Sequence, residues 1–328
     1  MGKKSSKNKK LVSIIIPFYK QSESDLAVPL SSINNQIGID FSKLDVHLVN
    51  DGGAPIDATK FDVFANLDLH YHEYQENGGP GVARQYGIDH SESDYLMFID
   101  ADDVLNGIGT LLDFFDTIKN TGNHQIISTN YLEQSPRNAH EFVYHIHGNQ
   151  DSAGVYAKWF NRQYLKQIHL RFAPDLRIFE DVYFVHSAIC LASDIVHLDK
   201  ISYMWRYRSS SLMREDEGLA VRKNLHQHVI QERHKCEFIQ KNRPKMLRDV
   251  FEVALVEIFL VHKKFPPIDE KAFSEEFQKF MTAFKHVWEG YTPRLQLIAT
   301  RSSLLRFSYY EGLDTSDLQN FIKDFPKN

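Results

Sequence analysis

The chain has 328 residues, of which 42% are hydrophobic and 12% aromatic, enough apolar material for a full-sized core and two domains. This composition excludes an intrinsically disordered protein. The formal net charge of -5 does not indicate nucleic acid as the main partner, so an anionic ligand would have to be held by a local group of residues.

The cysteine content and the lengths of the apolar runs define the expected setting of the protein. Cys190 and Cys236 do not have the spacing of a metal-binding pair, which fits a reduced, cytoplasmic environment. No apolar run approaches the ~20 residues needed to cross a bilayer. We therefore expect a cytoplasmic protein, with peripheral contact at the inner face of the membrane as the alternative.

The first ten residues carry five lysines. Such a segment predicts a solvated, disordered tail over residues 1–10. The sharper interpretation is attraction to an anionic membrane, which at ~1 kcal/mol per lysine would hold only weakly.

The next part of the chain alternates predicted strands and helices. Residues 11–18 are rich in β-branched side chains and predict a first strand that contains Pro17. Tyr19 follows this strand, where its ring could stack on a base or simply cover the core. Residues 25–36 have helical spacing and would provide the crossover that a parallel strand requires. Residues 45–49 predict the second strand.

Two glycine-rich turns follow the second and third predicted strands. The sequence Asn-Asp-Gly-Gly at 50–53 would let the backbone approach a ligand, with Asp51 as an acceptor, although Asp-Gly is also the commonest turn signal. Residues 69–74 predict the third strand. Residues 76–85 form a loop that leads into a helix and would offer backbone N–H groups and the Arg84 cation to an anion. This loop lacks the Gly-Lys-Ser/Thr ending of a Walker motif.

Residues 95–99 are apolar or aromatic and run directly into Asp-Ala-Asp-Asp. This pattern is typical of a buried parallel strand, and such sheets bind ligands at the carboxyl ends of their strands. Asp100 and Asp102 are two residues apart and would project to the same side of an extended chain. A divalent cation would relieve their mutual repulsion. The alternative is an acidic loop between a strand and a helix.

Further elements lead to a second acidic site. Helices are predicted at 108–118 and 161–168, and extended segments at 125–131, 141–147, 154–160, 194–197 and 201–207. Glu180 and Asp181 open another predicted helix, where carboxylates also have an ordinary explanation as capping residues. Residues 206–211 are basic and rich in hydroxyls. They could close over a phosphate or form a solvated loop.

The last third of the sequence predicts a helical domain. Aromatic residues recur there at helical spacing and are more typical of a core than of a ligand site. They are Phe273, Phe277, Phe280, Phe284 and Trp288. We expect a first domain over 11–214 and a helical domain over 215–328 that serves acceptor binding or association.

Five segments together resemble the inverting, nucleotide-sugar-dependent glycosyltransferases of the GT-A fold, within family 2 of bacterial polysaccharide and cell-envelope synthesis. They are Val-Ser-Ile-Ile-Ile-Pro-Phe-Tyr at 12–19, Asn-Asp-Gly-Gly at 50–53, Asn-Gly-Gly-Pro-Gly-Val-Ala-Arg at 77–84, Phe-Ile-Asp-Ala-Asp-Asp at 98–103 and Glu-Asp-Val-Tyr-Phe at 180–184. The resemblance implies an α/β, Rossmann-like domain with a mostly parallel central sheet flanked by helices, followed by an all-α region.

The resemblance also implies roles for individual residues. Asp181 would be the general base and Asp102 the ligand of a divalent metal, Mn²⁺ or Mg²⁺, with Asp100 closer to the ribose. The other donor-binding residues would be Pro17, Tyr19, Asp51, Asn77 and Arg84, with Glu180, Arg208 and Ser210 as additional candidates. Tyr19 and Asp51 would contact the base, and Arg84 the base or the diphosphate. An ordinary aspartate has a pKa near ~3.9, so this base would need placement more than a raised pKa.

The implied reaction is transfer of a hexosyl or N-acetylhexosaminyl group from a nucleoside-diphosphate sugar, with UDP expected, to a glycan or lipid-linked glycan of the cell envelope, capsule or exopolysaccharide. Asn50 and Gln85 depart from the family pattern, which often has an acidic residue and an asparagine there. These departures leave open a non-catalytic nucleotide-sugar-binding module. A nucleotidyltransferase, which would release pyrophosphate, ranks third.

Overall fold

A computed structural model describes residues 9–138, 141–149, 154–208, 218–304 and 310–323. The chain divides into two compact units, residues 1–208 and 209–328. Residues 1–8 of the lysine-rich tail and the candidate Ser210 lie outside the described residues, as does the predicted domain boundary after residue 214.

Within the described residues, the first unit contains a nine-stranded sheet of order β3-β2-β1-β4-β8-β6-β9-β5, with β7 beside β6. Its strands are β1 (Val12–Phe18), β2 (Leu44–Asp51), β3 (Leu69–Tyr74), β4 (Tyr95–Phe98), β5 (Val104–Leu105), β6 (Ile126–Pro136), β7 (Phe142–His147), β8 (Lys158–Asn161) and β9 (Ile195–Trp205). Its helices are α1 (Glu23–Asn34), α2 (Pro80–His90), α3 (Thr110–Thr121), α4 (Arg162–Gln167) and α5 (Glu180–Leu191).

The β-branched run at the start of the chain forms the centre of the parallel half of the sheet. Every residue of β1 is buried, because β1 pairs in parallel with β2 on one side and with β4 on the other. β2 pairs in parallel with β3. The carboxyl ends of these strands therefore meet at one edge, which brings together Tyr19, Asp51 and Asp100.

The predicted α/β class is confirmed, with helices flanking the sheet and a helical region after it. Beyond β4 the sheet is mixed, because β8 pairs antiparallel with both β4 and β6 while β9 runs parallel to β6. β9 is one strand where two segments were predicted. Its register against β6 shifts near Thr129 and Asn130, and this β-bulge leaves Asp199 and Lys200 outside the ladder.

The second unit is helical over its described residues. Its helices are α6 (Leu219–Lys223), α7 (Leu225–Asn242), α8 (Leu247–Lys264), α9 (Glu270–Ala283), α10 (Pro293–Leu304) and α11 (Leu318–Ile322). All five residues of the predicted aromatic stripe are buried, which confirms a core role. The ring of Phe280, for example, stacks on that of Phe251 in α8 at 5.2 Å between centroids. In the part of the chain that the structure describes, no helix is long and apolar enough to span a membrane.

Candidate active site

The parallel edge presents Tyr19 directly after β1. Its side chain is 39% exposed, whereas Pro17 lies within the buried strand. The turn after β2 packs against this point, since a methyl group at Gly53 would lie 1.7 Å from the carbonyl oxygen of Tyr19. Only glycine permits this approach. The aromatic ring of Tyr19 is thus presented to solvent above a tightly packed backbone.

Asp51 anchors the glycine-rich loop that precedes α2. Its Oδ1 accepts hydrogen bonds from the Tyr74 hydroxyl at 2.6 Å and the Gly78 amide at 2.7 Å. Its Oδ2 accepts from the Asn77 side chain and the Gly79 amide, both at 2.8 Å. A carboxylate has about four acceptor positions, so these donors account for its capacity. The loop takes its shape from Asp51, and the predicted contact of Asp51 with a base would require one of these bonds to be exchanged.

The two departures from the family pattern have structural roles. The side chain of Asn50 donates to the carbonyl oxygens of Gly53 and Ala54, and its oxygen accepts from the Gly53 amide, so it shapes the turn after β2. The side-chain oxygen of Gln85 accepts a hydrogen bond from the amide of Phe172 at 3.0 Å. Both substitutions therefore stabilise the framework around the edge.

The acidic segment after β4 has one buried and two partly exposed carboxylates. Asp103 is buried, and its oxygens accept hydrogen bonds from the Tyr203 hydroxyl at 2.6 Å and the Arg206 amide at 2.8 Å. Burial, with the nearby charges of Asp100 and Asp102, raises the pKa of Asp103 well above its usual value. Asp103 is therefore a structural residue, and the side chains of Asp100 and Asp102 stay 30% and 29% exposed at the edge.

Tyr203 was not identified from the sequence, and Arg206 was noted only as part of the basic loop at 206–211, without the contact of its amide with Asp103. Tyr203 also accepts a hydrogen bond from the amide of Asp100, so its single hydroxyl fixes both ends of the acidic segment. In the apolar–polar alternation of a strand, a tyrosine is indistinguishable from any other apolar residue. Only the pairing of β9 with β5, which sets Tyr203 opposite Leu105, reveals its role.

Arg84 of α2 lies between two carboxylates. One terminal nitrogen donates to Oδ1 of Asp100 and the other to Oε1 of Glu180, both at 2.7 Å. Its side chain is only 5% exposed. Although burial opposes the charge, Asp100, Glu180 and Asp181 raise the pKa of Arg84 above its usual value. The prediction that Arg84 contacts the donor stays a prediction. In this structure the guanidinium joins the acidic edge to the start of α5.

Asp181 lies in the first turn of α5, beside that ion pair. Its Oδ1 accepts a hydrogen bond from the Val182 amide at 2.8 Å. Burial and the charge of Glu180 raise the pKa of Asp181 to about 7, against the opposing effect of Arg84. This differs from the expected ordinary aspartate. A carboxyl group with such a pKa is well matched to accepting a proton near neutral pH.

Arg208 lies at the open side of the acidic segment. Its guanidinium donates to Asp25 at 3.0 Å, and its Nε lies 3.9 Å from Oδ2 of Asp102. Arg177 was not predicted. It donates to the carbonyl and side-chain oxygens of Asn77, on the glycine-rich loop. Two cations therefore border the edge at which a diphosphate is expected.

The carboxylates at this edge suit a hard divalent cation that shares its coordination with a ligand. Burial and the negative charge of Asp100 raise the pKa of Asp102, so a bound cation would stabilise the ionised form of this carboxyl group. No group of three or more potential metal ligands occurs within the described ranges. Mg²⁺ and similar ions are commonly held by one or two carboxylates together with substrate phosphates and water, so Asp102 fits such a site.

Comparisons with known proteins agree with this geometry. The family described as "Glycosyl transferase family 2" matches residues 13–187, more than half of the chain. The chain belongs to this family, and the GT-A, family 2 resemblance of the sequence is confirmed.

Individual relatives are distant. The chain is 26% identical to glycosyltransferase GlyA of Streptococcus pneumoniae over 229 residues, which cover 62% of the chain and 31% of GlyA. It is 25% identical to the uncharacterized glycosyltransferase EpsJ of Bacillus subtilis over 221 residues, 62% of each protein. GlyA and two further curated relatives are matched over less than a third of their own length, whereas EpsJ is matched over 62%. Among solved structures, S. aureus TarS in complex with UDP-GlcNAc superposes with a TM-score of 0.67 at 20% identity, covering 89% of this chain and 85% of TarS.

Proposed function

We propose that this protein is an inverting glycosyltransferase that moves a sugar from a nucleoside-diphosphate donor to a hydroxyl group of a cell-envelope glycan. UDP is the proposed nucleotide, because TarS, which shares the fold, was solved with UDP-GlcNAc. A cytoplasmic reaction is proposed with it, since both cysteines fit a reduced setting.

One observation carries the proposal. Arg84 brings the acidic end of β4 and the first turn of α5 together, across 96 residues of sequence between Arg84 and Glu180. The contact supports the proposal because the proposed donor-binding edge and a carboxyl group suited to proton transfer share one framework. Transfer with inversion needs both, since the acceptor hydroxyl must lose its proton while the leaving group departs from the opposite face.

The residues of the chain account for the proton and the charge in this step. The acceptor oxygen attacks the anomeric carbon, its proton passes to the Asp181 carboxylate, and the bond to the diphosphate oxygen breaks with its electron pair. Asp181 is held by the Val182 amide through one oxygen. In the described part of the chain no donor contacts its other oxygen, which can therefore accept the proton.

The donor diphosphate is proposed to lie beside Asp102, with Arg208 and Arg177 at its borders. A divalent cation, Mn²⁺ or Mg²⁺, would be held by Asp102 and would neutralise charge on the departing diphosphate. Tyr19, with its exposed ring, is the proposed stacking partner of the base.

The non-catalytic binding module loses its main support. Asn50 and Gln85 motivated it, and both residues now have structural explanations in the turn after β2 and the contact with Phe172. The lysine-rich segment that also motivated it lies largely outside the described residues.

Release of UDP from a panel of UDP-sugars, with MnCl₂ or MgCl₂ and with water as acceptor, tests the proposal. We expect turnover by the wild type, and loss of about two orders of magnitude or more in Asp181→Asn, the size of a general-base contribution. Asp102→Ala should lose activity together with Mn²⁺ binding, which electron paramagnetic resonance measures separately in the presence of UDP.

Asp62→Asn provides the matched control, because Asp62 is an exposed aspartate in the same unit. Equal turnover by Asp181→Asn and the wild type would refute the assignment of the base. Binding of UDP-sugars without hydrolysis, and without transfer to any acceptor tried, would instead favour the binding module.

A further inference from the structure

Glu180 sits in a socket formed by one face of α2. Arg84 donates to Oε1 of Glu180, and one helical turn earlier Gly81 lies against the same side chain. A methyl group at Gly81 would be 2.8 Å from Cγ of Glu180, so the socket exists because that position has no side chain. Gly81 and Arg84 are three residues apart and therefore share a helix face.

The start of α5 has an unusual backbone conformation. The residue that precedes the helix, Phe179, adopts the left-handed conformation with φ of 67° and makes no capping hydrogen bond through its side chain. Such a conformation is strained for a bulky residue and persists only where surrounding contacts hold it. The ion pair of Glu180 is a contact of this kind. Asp181, the next residue, depends on the geometry of the same turn.

We propose that Arg84 is a positioning residue for Asp181 and does not bind the donor. By holding Asp100 and Glu180 at once, its guanidinium fixes the first turn of α5 relative to the acidic edge. The inference rests on the proposed function, because it assigns Asp181 the role of base.

The surroundings of Arg84 support a structural placement. Its guanidinium lies over the ring of Phe172 at 5.9 Å, and that ring stacks on Phe184 of α5 at 4.1 Å. Its Nε is buried and has no acceptor within the described residues. Each terminal nitrogen donates one of its two N–H groups to a carboxylate, and the side chain is only 5% exposed, so a diphosphate could use the remaining donors only by opening this buried cluster. Opening a buried ion pair in this way is unfavourable.

Three charged groups contribute most to the electrostatics at Asp181: Glu180 on its own helix, Arg84 on α2 and Asp100 after β4. Removal of Arg84 would leave two negative charges near Asp181 without their cation. A positioning role therefore predicts a shift in the titration of Asp181, whereas a donor-binding role predicts weaker donor binding.

The test compares Arg84→Met and Arg84→Lys with the wild type in the hydrolysis of a UDP-sugar between pH 5 and 9. We expect Arg84→Met to lower kcat about 100-fold, the usual cost of a misplaced group. Its KM for the donor should stay within about threefold, because uniform binding is retained. The acidic limb of its pH profile should move up by about one unit. Arg84→Lys should recover part of kcat and of the shift.

Arg171→Met is the control. Arg171 pairs with Asp89 of α2, the helix that also carries Arg84, but the side chain of Arg171 is 61% exposed. It should leave kcat, KM and the pH profile unchanged. The double variant Arg84→Met with Glu180→Met removes the cation and one of its partners together and guards against misfolding caused by a lone buried carboxylate. Circular dichroism checks that each variant is folded.

A rise of tenfold or more in donor KM, with kcat and the pH profile unchanged, would overturn the inference and assign Arg84 to the donor. Carbon-13 NMR of the aspartate carboxyl groups, with the Asp181 signal identified by its loss in Asp181→Asn, follows the titration without any donor. If the wild type hydrolyses no donor, the proposed function fails. The NMR titration still decides whether Arg84 acts on Asp181. An Asp181 carboxyl pKa that is the same in Arg84→Met and the wild type would refute the inference without any measurement of activity.

Discussion

The hydroxyl of Tyr203 in β9 donates a hydrogen bond to Oδ2 of Asp103 at 2.6 Å, across 100 residues of sequence. Both groups are buried, and burial together with the charges of Asp103 and Asp100 raises the pKa of Tyr203 well above its usual value. The hydroxyl therefore stays protonated and acts as a donor at all physiological pH values.

Removing this hydroxyl should destabilise the acidic segment. Tyr203→Phe leaves a buried carboxylate with one donor fewer, which costs about 1–3 kcal/mol of the free energy of unfolding. Urea unfolding measures this cost. Tyr144→Phe is the control, because Tyr144 is 51% exposed. Equal midpoints for the two variants would contradict the structural role of Tyr203.

Asp51→Asn should loosen the glycine-rich loop. An amide group cannot accept all four hydrogen bonds that the carboxylate accepts, so at least one backbone amide of Gly78 or Gly79 loses its partner. We expect a loss of about 2–3 kcal/mol in the free energy of unfolding. Asp57→Asn, in an exposed turn where Asp57 accepts from Thr59, should cost less than half as much. Urea unfolding compares the two, and similar losses would show that Asp51 does not anchor the loop.

The pKa of about 7 at Asp181 predicts a pH dependence for activity and for stability. As a base Asp181 must be ionised, so kcat/KM for donor hydrolysis should fall tenfold per unit below pH 7 and level off above it. Because the folded-state pKa is above the unfolded value, the stabilising contribution of the protonated carboxyl is lost as pH rises through 7. Asp181→Asn should therefore gain stability over the wild type between pH 5 and pH 8, as measured by urea unfolding. A constant difference across this range would contradict the raised pKa.

The stacked histidines of β2 and β3 predict a second pH dependence. Nδ1 of His47 lies 3.0 Å from Nε2 of His72. Burial and the neighbouring His47, His90 and His70 lower the pKa of His72 to about 4. Since its ordinary value is 6.5, the unfolded chain binds a proton that the folded chain does not, and stability is lost as pH falls from 6.5 towards 4.

His72→Gln should reduce this pH-dependent loss of stability. We expect it to remove about 1–2 kcal/mol of the difference in unfolding free energy between pH 7 and pH 5, allowing for solvent screening of a partly exposed group. Urea unfolding at the two pH values measures the difference. His145→Gln, at an exposed position of β7, should leave it unchanged. A difference in unfolding free energy between pH 7 and pH 5 that is the same in His72→Gln and the wild type would refute the role of the cluster.

Local signals in the sequence identified the elements of the parallel half. The β-branched run of β1 and the apolar run before Asp100 are buried on both faces, and that pattern is visible without knowledge of the fold. The bulge in β9 was missed, since the Asp-Lys pair that it expels reads as a break between two strands. A register shift arises from pairing with another strand, which the sequence of one strand does not contain.

The candidate site could be predicted only as separate segments. Asp51, Arg84 and Asp181 were proposed from their motifs, but their hydrogen-bond partners could not be predicted. Arg84 carries the positive charge expected at an anion-binding site. Nothing in its local sequence shows that the carboxylate of Glu180 already pairs with this charge. Tyr203 gave no signal, because its importance comes entirely from a contact distant in sequence.

The two bonds of Arg84 also imply an order of assembly for the chain. Its contact with Asp100 closes a loop of 16 residues, whereas its contact with Glu180 closes one of 96. Loop closure costs more conformational entropy for the longer segment, and contacts between sequence neighbours form sooner. We therefore expect residues 12–103 to condense first during folding, with Arg84 already paired to Asp100. Asp181 would arrive later, when α5 docks, so the chemical competence of the protein would follow the folding of its parallel half.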